Sequence, residues 1–120
     1  MRHTLRLNGI IIGHSDLEHT DRFVGRAWGR FRPGLGYDLV QPIFRLFSEA
    51  QPKKGPTDDE KLTRYYKARD ALPLVLLDET GAAIATSTIH IADYGAERAS
   101  TIELDVLIRD EGYWNSREPK

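Results

Sequence analysis

The sequence predicts a single α+β domain, a mainly antiparallel sheet of about six strands in the order β-β-β-α-α-β-β-β with two helices packed on one face. Three observations lead there. Short apolar segments with alternating or continuous character occupy both ends of the chain, and two central stretches carry apolar residues at helical spacing. The strands flank the helical pair instead of alternating with it, which disfavours a parallel α/β arrangement. A chain of 120 residues suits one domain, 1–120, able to bury a core of its own.

The first strand places Leu5 and Leu7 on one face and ends at Asn8-Gly9, a pair that tolerates positive φ at both centres of a two-residue hairpin turn. A second strand follows over residues 10–18, apolar from Ile10 to Ile12 and polar from His14 onward. After the polar link His19-Thr20-Asp21-Arg22, residues 23–32 read as a third strand, with Arg26, Trp28, Arg30 and Arg32 alternating against Ala27, Gly29 and Phe31. Pro33-Gly34-Leu35-Gly36 ends it, because proline cannot donate to a ladder and glycine accepts turn geometries closed to other residues.

Tyr37, Val40, Ile43, Phe44 and Phe47 then line one face of a helix over 37–50, starting either at an Asp38 cap or at Gln41 with Pro42 in its first turn. Residues 51–56 form a linker. Thr57 and Glu60 have the spacing of a capping box for a second helix over 58–71, whose thin stripe is Leu62, Tyr65, Ala68 and Leu72. Leu74 to Leu77 reads as a strand buried on both faces. Asp78-Glu79-Thr80-Gly81 turns it into a long strand over 82–92. A last strand over 101–108 alternates Ile102, Leu104, Val106 and Ile108 against Glu103, Asp105 and Leu107. The polar tail is expected to fray from about 110, with Tyr113 and Trp114 as its possible anchors.

Composition excludes more than it assigns. With 40% hydrophobic and 29% charged residues in periodic segments, general disorder is ruled against. The sequence has no cysteine, so disulfides, thiolate nucleophiles and cysteine-ligated metals are excluded, and a cytoplasmic location is the expectation. No apolar run approaches the length of a membrane span. Net charge is −1, divided as +4 over residues 1–56 and −5 over 57–120. That balance argues against bulk nucleic-acid binding and allows a local basic patch or association of unlike surfaces.

The arginine strand is the first candidate site. Arg26, Arg30 and Arg32 beside Trp28 suit an anionic ligand or an acidic protein surface, since guanidinium groups bind carboxylate and phosphate and stack on indole. The plainer reading has arginine stems covering the tryptophan and pairing with acids of a neighbouring strand. Gly34 and Gly36 expose amides at the start of a helix and would complete an anion site if they met the arginines in space.

A second candidate is a divalent transition-metal centre from His14, Asp16 and Glu18 at alternate strand positions, closed by His90; nitrogen and carboxylate donors suit zinc, manganese or iron. It would make the chain a small metal-dependent enzyme. No His-Glu-x-x-His, Gly-x-Ser-x-Gly or glycine-rich nucleotide motif supports catalysis, so no catalytic residue or cofactor is assigned. Tyr65, Tyr66, Tyr113 and Trp114 point either to rim packing or to a homodimer contact. The leading expectation is a non-enzymatic, self-associating binding domain; nucleic-acid recognition through Trp28 and the arginines is a further alternative.

Overall fold

A computed structural model describes residues 2–52, 55–93 and 102–117. It is an α+β fold whose strands are β1 His3–Leu7, β2 Ile10–Ser15, β3 His19–Asp21, β4 Arg26–Pro33, β5 Leu74–Leu77, β6 Ala83–Ile84, β7 Thr86–Asp93 and β8 Ile102–Ile108. A 3-10 helix, Leu35–Leu39, leads into α1 Gln41–Ala50; α2 is Asp59–Asp70 and α3 is Glu111–Asn115.

The strands form one antiparallel sheet in the order β6-β5-β1-β2-β4-β8-β7, with β3 paired to the start of β4. The two ends of that path, β6 and β7, are separated in sequence by Ala85 alone, so the sheet curls toward closure. Leu5, Ile12, Phe31, Leu76, Ile91, Leu104 and Val106 fill its interior at 2% exposure or less. Helix α1 packs on α2 and on β7, burying Phe44 and, from α2, Tyr65. No helix among the described residues is long and apolar enough to cross a membrane.

The first hairpin turns as its sequence demands, with φ of 49° at Asn8 and 87° at Gly9. Gly13 on β2 leaves room for a ring: a Cβ there would sit 2.3 Å from Phe31 Cζ and 2.6 Å from the Arg32 carbonyl oxygen. The helix boundary falls at Gln41, with Pro42 in the first turn, because residues 35–39 wind as 3-10 helix and not as α-helix.

Several expectations need correction. The second strand stops at Ser15 instead of 18: Leu17 takes a φ of 44° to turn its side chain into the core, and its amide donates to Ser15 Oγ. The polar link contains a short strand, β3. The expected start at Phe23 is a hairpin tip instead, where Phe23 is 98% exposed and Gly25 supplies the left-handed position.

Helix α2 is capped by Asp58, whose carboxylate accepts from the Lys61 amide, one position after the proposed threonine cap. Strand β5 buries Leu76 but exposes Val75 opposite Arg6, so it is buried on one face only. The long strand over 82–92 is two, β6 pairing with β5 and β7 with β8, so that its halves lie at opposite ends of the sheet path.

The tail is helical to Asn115, because Asp110 caps α3 and Tyr113 and Trp114 are buried; Tyr113 hydroxyl meets His3 Nε2 at 3.1 Å and Trp114 Nε1 donates to the Ile108 carbonyl. Residues 53–54 of the linker, the loop over 94–100 and the start of the last strand at Thr101 lie outside the described residues.

Candidate anion-binding face

Alternation along β4 builds the site. Ala27 and Phe31 point into the core, while Arg26, Trp28, Arg30 and Arg32 take the opposite face. The small side of the strand receives Glu18: a Cβ on Gly29 would lie 2.6 Å from Glu18 Oε1, and Glu18 accepts from the Arg30 amide at 3.1 Å.

At its first half this face is closed by its own partners. Arg26 forks onto Asp105 of β8, with Nε 3.0 Å from Oδ1 and Nη2 2.7 Å from Oδ2, a geometry that guanidinium and carboxylate fit well. That bond, assisted by Asp105's charge, raises the Arg26 pKa further above its usual value. The Arg26 guanidinium also lies 4.1 Å from the centre of the Trp28 ring. His19, paired with Trp28 across β3, stacks on it at 5.5 Å. Register sets a row across four strands, His90, Asp105, Trp28 and His19. Here the plainer sequence reading describes the geometry: an arginine covers the tryptophan and pairs with a neighbouring acid.

The second half is open. Arg30 is exposed and makes no side-chain ion pair or hydrogen bond among the described residues. Arg32 reaches Asp16 Oδ1 at 3.4 Å, with both side chains nearly half exposed, and such a pair is worth little in water. Across the ladder from Arg32 stands His14, whose Nδ1 lies 3.1 Å from Thr4 Oγ1. Its pKa is lowered, first by burial and then by the Arg2 and Arg32 cations, despite an opposing backbone hydrogen bond. Arg2, His14 and Arg32 therefore share one corner, with Arg30 two positions along the same strand face and opposite Glu103 in the β8 ladder; chain order alone does not reveal Arg2 there.

The glycine turn lies beside β2. Gly34 donates its amide to the Ile12 carbonyl at 2.7 Å, and a Cβ on Gly36 would come within 2.6 Å of both Ile10 Cγ2 and the Ile11 carbonyl oxygen. These glycines allow close packing, and the Gly34 amide is already committed to protein.

The four metal candidates do not gather: among the described residues no group of three histidine or acidic side chains is placed to hold a metal ion. The break at Leu17 sends Glu18 to the Arg30 amide, while Asp16 lies near Arg32. His90 sits on β7, where Phe44, Phe47 and Tyr65 surround it edge-on and Tyr65 hydroxyl hydrogen-bonds its Nδ1. Burial pushes the His90 pKa down to about 4, with Asp105 opposing and Arg69 reinforcing the shift, and burial raises that of Tyr65.

One further buried polar group has partners that the sequence did not reveal. Asp93, 2% exposed, accepts from Tyr37 hydroxyl at 2.7 Å and from Gln41 Nε2 at 3.4 Å, with Arg45 Nη1 3.8 Å from its Oδ1. Burial and the neighbouring Asp93 carboxylate push the Tyr37 hydroxyl pKa well above its ordinary value. Tyr37, Gln41 and Arg45 are 56, 52 and 48 positions from Asp93, beyond any local motif.

Compared with protein-family models, with curated proteins and with solved structures, the chain matches none of them, so the case for a function rests on its own side chains.

Proposed function

We propose that the chain is a non-enzymatic binding domain that engages an anionic ligand or an acidic protein surface through the open half of the β4 face. The observation that carries this reading is the contrast along one strand. Arg26 is matched by Asp105, whereas Arg30 is exposed with no side-chain partner among the described residues and Arg32, weakly paired to Asp16, lies opposite a histidine whose pKa it and Arg2 lower. A carboxylate or phosphate placed between Arg30 and Arg32 gains charge-assisted hydrogen bonds without having to displace a strong internal pair.

Self-association belongs to the same reading. Leu35, Leu39, Ile10 and Ile11 are between 46% and 102% exposed, and Gly36 packs directly on Ile10, so the four form a neighbouring apolar area suited to a second copy. The cysteine-free sequence fits a reducing, cytoplasmic setting.

Calorimetric titration with polyglutamate and with inorganic phosphate tests the site, using wild type and the Arg30→Glu/Arg32→Glu variant. Binding by wild type and its loss in the variant support the proposal. Equal heats from both proteins, or no heat from either, refute it. Preferential binding of a single-stranded oligonucleotide with a steep salt dependence would favour nucleic-acid recognition instead.

A further inference from the structure

The near-closure of the sheet leaves a slot at its seam. Among the described residues, strand β6 pairs only with Leu76 and Leu77 of β5, and β7 pairs only with β8, so a wedge opens between Leu74 and the first half of β7. This groove, about 360 Å³, is lined by residues 86–89 on one side and by Arg69, Asp70, Leu72 and Leu74 on the other.

Three of its features select the same kind of ligand. Among the described residues, the β7 backbone over 86–89 makes no main-chain hydrogen bond beyond its ladder with β8, whose register shifts between Thr86 and Thr88, so its outer edge is a template for another strand that is irregular at Ser87. The hydroxyls of Thr86, Ser87 and Thr88 likewise have no hydrogen-bond partner among the described residues. The Arg69 guanidinium, its side chain 17% exposed, is held over the Tyr65 and Tyr66 rings at 5.5 and 5.0 Å. Its Nε and Nη2 both lie 3.1 Å from one oxygen of Asp70, and it also hydrogen-bonds the Tyr65 hydroxyl; the Asp70 side chain is 68% exposed and able to rotate into water.

We propose that this groove binds an extended peptide segment that adds to the β7 edge and sets one acidic side chain on Arg69 in place of Asp70. Four residues of strand span about 13 Å, so a short segment suffices, with main-chain pairing supplying affinity and the arginine choosing the acid. The site is separate from the β4 face, and an acidic peptide could in principle choose either, which the test resolves.

Random seven-residue peptides displayed on phage are selected on the full chain, and the enriched sequences are synthesised. Each is measured on wild type, on Arg69→Glu and on Arg30→Glu/Arg32→Glu, and again as analogues N-methylated at alternate residues. The proposal expects an acidic residue within a β-branched stretch and new protection from exchange of those amides of residues 86–89 that face away from β8. It also expects a loss of affinity of at least tenfold on Arg69→Glu and in one of the two N-methylation registers. The N-methylated analogues keep the test valid on wild-type protein should Arg69→Glu fail to fold. No enrichment, affinity indifferent to both N-methylation registers, or a loss confined to the Arg30→Glu/Arg32→Glu variant would overturn it; the last result would leave the β4 proposal standing.

Discussion

Acid should loosen the helical pair through His90. The imidazole is enclosed by Phe44 and Phe47 of α1 and by Tyr65 of α2, with Asp105 the facing acid on β8 and Arg69 the facing cation on α2. Its pKa in the folded chain is about 4, against 6.5 as the ordinary value. The folded value is the lower one, so between those two pH values the unfolded chain takes up a proton that the folded chain refuses. The contribution is fully present above pH 6.5 and is lost as pH falls toward 4. Moving from pH 7.5 to 4.5 should therefore remove about 2 to 3 kcal/mol of stability through this residue alone.

Other groups titrate across the same range, so the measurement is a comparison. Urea unfolding is followed at both pH values for wild type and for His90→Gln, which keeps a hydrogen-bonding partner for Tyr65 and cannot titrate. Wild type should lose about 2 kcal/mol more than the variant. Parallel pH dependences, or a His90 ring that titrates near 6.5 by NMR, would refute the reasoning.

Three further outcomes follow from the packing. Tyr37→Phe removes a donor from a carboxylate that is 2% exposed and should cost about 1 to 3 kcal/mol in denaturant unfolding, with no gross change of fold. Gly13→Ala drives a methyl group into the Phe31 ring and the Arg32 carbonyl and should cost about 1 to 3 kcal/mol; an unchanged midpoint would mean that β2 and β4 pack more loosely than described. Arg26→Ala should destabilise the fold and raise iodide quenching of Trp28 fluorescence, whereas Arg30→Ala should leave stability within about 0.5 kcal/mol, because only Arg26 is forked onto an acid and stacked on the indole.

Local chemistry was legible in the chain, and long-range choice of partner was not. Asn8-Gly9, the alternation of β4 and the Pro42 boundary of α1 could be read because each is decided by a few consecutive residues. The break at Ala85 could not: residues on both sides favour strand, and only pairing with β5 on one side and β8 on the other separates them. Leu17 illustrates the same limit, since burial imposes a left-handed backbone on a residue that gives no warning of it.

The arginine strand was recognised as a site candidate from its own sequence, but its division into a closed and an open half depends on Asp105, 79 positions from Arg26. The metal candidates show the converse error. Even spacing on paper became separate environments once β2 ended at Ser15 and His90 was enclosed beneath the helices.

The central claim is that the open half of the β4 face receives an anion. Chemical-shift mapping of the labelled protein during titration with polyglutamate tests it most directly. Saturable shifts concentrated at His14, Arg30 and Arg32, and abolished in the Arg30→Glu/Arg32→Glu variant, are the predicted result. Absence of saturable shifts, or shifts that persist unchanged in that variant, would contradict it.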